Sequence, residues 1–148
     1  MKDLPTEKVE GLKVVSVPPL KMREDVAIFS SKHSGKIISL RDLPDGSVIG
    51  SSSLRRIHTL KRFFGDKNFE IRNIRGNLNT RMKKLEEEGF DAIILAAAGV
   101  LRLGWEDKIG ERLSFFEYAP AQGALALECR EDDSLTAQVL GLIHDQTA

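Results

Sequence analysis

Hydrophobic and polar residues alternate along the chain with two periods, one typical of strands and one typical of helices. Six segments are predicted as strands from two-residue alternation or continuous apolar runs: 11–17, 25–31, 47–50, 69–74, 90–98 and 122–130. Three segments are predicted as helices from apolar residues three or four positions apart, 54–64, 78–88 and 134–144, and a short helix is predicted at 100–102. Strands that alternate with helices indicate an α/β fold with substantial parallel pairing.

Each longer helix has an apolar face, and the faces of the first two are expected to be buried. The predicted faces are Leu54, Ile57, Leu60 and Phe64; Leu78, Met82 and Leu85; and Leu135, Val139 and Leu142. Gly89 is the expected end of the second helix, because glycine adopts the left-handed conformation that commonly follows a helix. The apolar run at 90–98 is typical of a central strand that is covered on both faces.

Charge and cysteine content narrow the function classes. Lysine plus arginine and aspartate plus glutamate are equal at 22 each, which argues against a general nucleic-acid binder. The single cysteine, Cys129, excludes an intramolecular disulfide and is expected to be packed in a strand. The histidines have no carboxylate or cysteine at ligand spacing, so no metal site is expected. The single cysteine suits the reducing cytoplasm. The apolar runs are too short to cross a bilayer, so no membrane partner is expected.

Arginines gather where two predicted strands lead into helices, in "VIGSSSLRR" and in "IRNIRGNLNTR". Ligands of α/β sheets bind at the carboxyl ends of strands, where helix N-termini offer free backbone N–H groups to anions. The planar fork of arginine suits carboxylates. These junctions therefore indicate a small-anion site. The residues alone leave open that both are capped helix starts with solvated arginines, with Arg81 paired to Glu86 or Glu87.

Other chemistry has weaker support in the residues. The chain has no GxxxxGK[ST] motif, no strand-linked GxGxxG motif and no GxSxG motif, so nucleotide binding and a nucleophilic serine are not indicated. The aspartate of "KDLPT", Asp3, could stabilise a cationic intermediate or transfer a proton if it lies among the arginines. An ordinary turn aspartate is the alternative.

Five motifs, taken together, resemble the porphobilinogen deaminase (hydroxymethylbilane synthase) family. They are "KDLPT", "IGSSSLRR", "IRGNLNTR", "DAIILAAAGVLRLGW" and "QGALALE". The resemblance implies a transferase of heme and tetrapyrrole biosynthesis that joins four porphobilinogen molecules head to tail with loss of ammonia. It also implies a dipyrromethane cofactor bound through a cysteine. The acetate and propionate groups of each pyrrole would account for the arginines.

The resemblance assigns roles to individual residues. Asp3 is the implied catalytic aspartate. The implied cofactor-binding residues are Lys2, Ser52, Ser53, Arg55, Arg56 and Arg81. The implied substrate-binding residues are Arg75, Asn77, Arg81, Arg102 and Gln122. Cys129 does not match the family's cofactor cysteine, and Ala121 stands where the family commonly has glycine.

The resemblance further implies two domains of the periplasmic-binding-protein type. Residues 1–18 and 117–148 would be parts of an incomplete first domain, and 19–116 a complete second domain. The chain is expected to be an internal fragment that lacks the cofactor cysteine and does not turn over alone, whereas the full enzyme would be a monomer. Two alternatives remain: a non-catalytic polycarboxylate-binding module, and an interaction or nucleic-acid protein that uses the basic helix at 54–64.

Overall fold

The computed structural model describes residues 4, 7–20 and 22–146. The chain divides into two compact units, a smaller unit of Met1–Arg23 with Ala119–Ala148 and a larger unit of Glu24–Tyr118. The seven strands of the described residues are β1 (Leu12–Ser16), β2 (Asp25–Phe29), β3 (Val48–Gly50), β4 (Glu70–Arg72), β5 (Ala92–Ala96), β6 (Glu111–Leu113) and β7 (Leu127–Arg130). Their four α-helices are α1 (Leu54–Phe63), α2 (Leu78–Glu87), α3 (Ala97–Arg102) and α4 (Ser134–Gly141).

The larger unit is built on one five-stranded sheet with the strand order β4-β3-β5-β2-β6. Strand β3 runs parallel to β4 and β5, and β2 runs antiparallel to β5 and β6. The predicted parallel pairing is thus confirmed for β3, β4 and β5, whereas β2 enters the sheet in the opposite direction. Because β2 is antiparallel to β5, its first residue, Asp25, lies opposite Ala96 at the carboxyl end of β5.

The core of the larger unit lies between the sheet and its helices. Its central residues include Leu60 and Phe64, which follow the predicted face of α1, together with Ile49 and Ile94 from the central strands. Strand β5 is buried over Ala92–Leu95, as its apolar run predicts. Burial of this many aliphatic side chains on one sheet is a large favourable contribution to folding.

The smaller unit contains a two-stranded antiparallel sheet of β1 and β7, with α4 following it. Cys129 is buried in β7, as expected. The predicted apolar face of α4 is not buried: Leu135, Val139 and Leu142 are all more than half exposed. Helical periodicity marks an apolar stripe but does not supply a surface to cover it.

Two strand predictions are corrected at their boundaries, one strand was missed and one helix residue is exposed. The strand predicted over 90–98 ends at Ala96, and α3 begins at Ala97, since alanine readily enters a helix. The strand predicted over 122–130 is reduced to β7, because the residues before it form turns with positive φ at Ala121 and Gly123. Strand β6 has only three residues and was not predicted from the sequence. Leu54, expected on the buried face of α1, is exposed.

None of the helices in the described part of the chain combines the length and apolar character that a bilayer crossing demands.

Candidate functional site

The carboxyl ends of β3, β4 and β5 share one edge of the larger sheet, because these strands are parallel. Two helices of ten residues begin there, α1 after the serine loop 51–53 and α2 after the loop 73–77. Asp25 lies at the same edge, where β2 begins. The two arginine-rich junctions predicted from the sequence therefore belong to one sheet edge of one unit.

Serine hydroxyls hold the first junction in place. The backbone N–H of Arg56 donates to Ser53 Oγ at 3.5 Å, so Ser53 caps α1. Ser52 Oγ donates to the carbonyl of Ile74 at 2.8 Å and accepts from the N–H of Ile74 at 3.1 Å. Ser52 therefore joins the serine loop to the loop after β4. Both predicted cofactor-binding serines thus have partners within the chain.

Arg55 and Arg56 converge on the fully buried carboxylate of Asp25. Arg56 Nη2 lies 2.6 Å from Asp25 Oδ1, and Arg55 Nη2 lies 2.8 Å from Asp25 Oδ2. Arg56 Nη1 also donates to the carbonyl of Ile94 at 3.0 Å, and Arg55 Nη1 donates to the carbonyl of Glu117. The two predicted ligand-binding arginines are therefore held by a carboxylate and by two backbone carbonyls.

One nitrogen of this cluster lacks a hydrogen-bond partner among the described residues. Within the described ranges, Arg56 Nε is buried and has no hydrogen-bond partner. A buried N–H without a partner costs free energy, which an acceptor from a ligand would recover. Because two guanidinium groups face one carboxylate, the three side chains together carry one formal positive charge. A carboxylate is the ligand group that such a cluster would favour.

The second junction has the capped geometry that its sequence predicts. Asn77 Oδ1 accepts from the N–H of Thr80 at 2.8 Å, so Asn77 caps α2. Gly76 has a φ of 117°, and a Cβ at this position would lie 2.8 Å from Thr80 Cγ2, so a side chain is excluded there. Arg81 Nε donates to the carbonyl of Gly76 at 2.8 Å. Arg75, in the loop itself, is exposed.

Arg81 is electrostatically linked to the first junction. Partial burial, and after it the positive charge of Arg56, lower the pKa of the Arg81 guanidinium. The alternative partners considered from the sequence are engaged elsewhere, since Glu86 accepts from Ser31 Oγ at 2.5 Å and Glu87 lies 3.8 Å from Lys83. The cationic groups of both junctions therefore act on each other at one edge of the sheet.

The remaining predicted site residues lie in different places. Arg102 is the exposed last residue of α3 in the larger unit. Gln122 belongs to the smaller unit, where its Nε2 donates to the carbonyl of Arg23 at 2.6 Å. Asp3 and Lys2 lie outside the described residues. No group of three or more histidine, cysteine, aspartate or glutamate side chains in the described ranges could hold a metal ion.

Sequence reasoning missed Asp25 as part of this site. Its signal is an acidic residue at the start of an apolar strand, "DVAIF", whose other members are buried or partly buried. A buried carboxylate requires a cationic partner, so this pattern could have directed attention to nearby arginines. The pairing itself depends on the antiparallel direction of β2, which the local pattern does not reveal.

Comparison with known proteins supplies a family for this arrangement. The family model described as "Porphobilinogen deaminase, dipyromethane cofactor binding domain" matches residues 1–138. A porphobilinogen deaminase from Lysinibacillus sphaericus is 47% identical over 151 residues, and one from Staphylococcus carnosus is 45% identical over 150 residues. Each match covers 99% of this chain and 46% of the relative. The chain thus spans about half the length of these curated relatives.

Similar folds occur among solved structures at much lower sequence identity. A lipoprotein of the YaeC family from Enterococcus faecalis has a TM-score of 0.50 at 16% identity, over 93% of this chain and 64% of that chain. A periplasmic binding protein from Brucella ovis with glutathione bound has a TM-score of 0.48 at 15% identity. This match covers 90% of this chain and 41% of that chain. The α/β fold of the periplasmic-binding-protein type, expected from the sequence, is confirmed.

Proposed function

Because this chain belongs to the porphobilinogen deaminase family, we propose that it is the arginine-bearing part of a hydroxymethylbilane synthase. Members of the family are transferases of tetrapyrrole biosynthesis and use a dipyrromethane cofactor. The proposed reaction joins four porphobilinogen molecules head to tail and releases one ammonia at each step. The proposed enzyme is a cytoplasmic monomer.

The observation that carries the proposal is the cationic edge of the larger sheet. Arg55 and Arg56 at one junction converge on a single buried carboxylate, and at the other junction burial and then the positive charge of Arg56 lower the pKa of the Arg81 guanidinium. Porphobilinogen and its linear products carry an acetate and a propionate on every pyrrole. Guanidinium groups gathered at one sheet edge, with positive charge in excess, are suited to such a polycarboxylate.

The residues of this edge fit a dipyrromethane group, because the buried Arg56 Nε has no partner in the described part of the chain. Five residues would hold the acetate and propionate groups of the cofactor: Ser52, Ser53, Arg55, Arg56 and Arg81. When bound, the cofactor supplies the pyrrole on which the product chain is built. Ser52 and Ser53 position the two loops, and the arginines neutralise and orient the carboxylates.

Further roles belong to the same proposal. The residues proposed to contact substrate are Arg75, Asn77, Arg81, Arg102 and Gln122. Asp3 would stabilise the positive charge that develops as ammonia leaves, with Lys2 beside it on cofactor carboxylates. We propose residues 1–18 and 117–148 as parts of the first domain and 19–116 as the second. Cys129 is buried in β7 and receives no cofactor role.

The test uses the protein encoded by the full reading frame, incubated with porphobilinogen while uroporphyrin formation is followed after oxidation. We expect sustained formation by the wild type and at least a tenfold loss of kcat/KM in Arg81→Ala, because one carboxylate contact is removed. Lys83→Ala is the matched control on the same helix, since Lys83 is exposed and paired only loosely with Glu87. Equal activity of both variants would contradict the role of Arg81.

The same assay separates the enzyme from a non-catalytic polycarboxylate-binding module. Binding of porphobilinogen without any product from the full-length protein would favour the module. The 148-residue chain alone is expected to bind porphobilinogen weakly and to form no product. Sustained turnover by that chain would contradict this expectation.

A further inference from the structure

Asp25 occupies an unusual position for a carboxylate. It is the first residue of β2, it is fully buried, and it is hydrogen-bonded through the sheet between β5 and β6. Moving an ionised carboxylate out of water costs on the order of several kcal/mol, unless cationic hydrogen-bond donors surround it. Arg56 donates such a hydrogen bond to Asp25 Oδ1 at 2.6 Å, and Arg55 Nη2 forms an ion pair with Asp25 Oδ2 at 2.8 Å.

The same ion pairs that stabilise the Asp25 carboxylate also fix the positions of the two arginines. Each guanidinium group has one Nη on the carboxylate and the other on a backbone carbonyl, that of Ile94 for Arg56 and that of Glu117 for Arg55. Two anchors on a planar group fix both its position and its plane. Long side chains that are fixed in this way lose little conformational entropy when a ligand binds.

The anchors come from three elements of the larger unit. Asp25 is at the start of β2, the Ile94 carbonyl belongs to β5, and Glu117 follows β6. Arg55 and Arg56 both come from the first turn of α1. The first turn of α1 is therefore held to three segments of the larger unit, to β2 through the Asp25 carboxylate and to β5 and the segment after β6 through backbone carbonyls.

We propose that Asp25 is a positioning residue, which holds Arg55 and Arg56 in the orientation that binds carboxylate groups of the ligand. This inference rests on the proposed function for the identity of the ligand, but the effect of Asp25 on the arginines is a property of the chain alone. Asp25 has no direct contact with the ligand in this role. It acts through the guanidinium groups, whose two positive charges exceed its single negative charge.

The first measurement follows the arginine side chains without ligand, in the 148-residue chain, by ¹⁵N–¹H correlation spectra of the Nε–H groups. In the wild type we expect dispersed and slowly exchanging signals from Arg55 and Arg56. Asp25→Asn should move both signals toward exposed positions and accelerate their exchange at least tenfold, while backbone amides of β3 and β5 keep native shifts. Unchanged arginine signals in Asp25→Asn overturn the proposal.

The second measurement is calorimetric titration of the same chains with porphobilinogen, below the melting temperature of each variant. Asp25→Asn should weaken binding at least tenfold, and Asp25→Glu, which keeps the charge but displaces it by one methylene, should weaken it two- to fivefold. A purely structural role would lower the melting temperature but leave the affinity of the folded chain unchanged. Equal or tighter binding by Asp25→Asn overturns the proposal, because the carboxylate would then only compete with the ligand.

The matched control is Asp66→Asn. Asp66 also pairs with an arginine, Arg41, at 3.5 Å, but both side chains are exposed, so affinity should not change. If Asp25→Asn does not fold, the test relies on the affinity of Asp25→Glu alone, and wild-type affinity in that variant overturns the proposal. Absence of porphobilinogen binding by the wild type counts against the proposed function, and the arginine signals then still decide the role of Asp25.

Discussion

A leucine on a helix is buried in the larger unit, whereas one on a helix of the smaller unit is exposed. Leu60 of α1, in the larger unit, is 1% exposed, whereas Leu135 of α4, in the smaller unit, is 73% exposed. Both residues belong to apolar stripes with helical spacing that the sequence predicts. The difference shows that periodicity reports the potential of a helix to be buried, while burial itself requires a surface of matching size.

The largest expected effect comes from shortening these two leucines. Leu60→Ala should lower the free energy of unfolding by about 3 kcal/mol, because it leaves a cavity in the core of the larger unit. Leu135→Ala should change it by less than about 0.5 kcal/mol, since an exposed side chain leaves no cavity. Urea unfolding followed by circular dichroism measures both. A comparable loss in Leu135→Ala would mean that the face of α4 is covered in solution.

Glycines of the two units provide the second comparison. A Cβ on Gly50 of β3 would lie 2.9 Å from Ile93 Cγ2 and 3.1 Å from Ile74 Cγ2, whereas one on Gly141 of α4 meets nothing within 4 Å. Gly50→Ala should therefore destabilise the chain by about 2 kcal/mol through overpacking. Gly141→Ala should be neutral or stabilising by up to about 1 kcal/mol, because alanine favours a helix. Thermal melts of both variants test the contrast, which fails if Gly50→Ala melts at the wild-type temperature.

The third comparison concerns two aspartates with lowered pKa values. Burial alone would raise the pKa of Asp91, but hydrogen bonds from Lys32, the Val48 amide and His33 outweigh it and lower the pKa. In the smaller unit, the backbone amide and hydroxyl of Thr136 lower the pKa of Asp133. A lowered carboxyl pKa stabilises the folded state above the ordinary pKa, and this stabilisation is lost as the pH falls through the folded-state pKa.

Asp91→Asn should thus cost about 1.5 kcal/mol at pH 7, where charged hydrogen bonds are lost, and much less near pH 2. The matched change, Asp133→Asn, should have a smaller effect, because asparagine also caps a helix. Urea unfolding of both variants between pH 2 and pH 7 gives the two profiles. A cost for Asp91→Asn that is the same at every pH would contradict the assigned role of its charge.

The smallest expected effect is a gain of stability in the smaller unit. Ala121 has a φ of 57°, in the left-handed region that is unfavourable for alanine. Ala121→Gly should raise the free energy of unfolding by about 0.5 kcal/mol, since relief of this strain exceeds the entropic cost of glycine. The control Ala119→Gly should lower it, because positive φ among described non-glycine residues is confined to Ala121. Differential scanning calorimetry resolves both shifts, and a lower melting temperature for Ala121→Gly would contradict the strain.

The sequence pattern predicted the start of an element correctly where local interactions alone fix its conformation. The helices α1 and α2 begin at Leu54 and Leu78 as predicted, because the preceding Ser53 and Asn77 cap them. Boundaries were less accurate where neighbouring residues suit two conformations. The alanines at 96–98 continue an apolar run and also favour a helix, and only packing placed the change at Ala97.

The candidate site divides in the same way. The sequence by itself determined that arginines stand at two strand-to-helix junctions, since strand, cap and helix are local properties. Only the tertiary structure decided that β2 runs antiparallel, which places Asp25 opposite Ala96 and against Arg55 and Arg56. Strand direction depends on contacts between residues far apart in the chain, and the sequence of a single segment does not determine the free energy of those contacts.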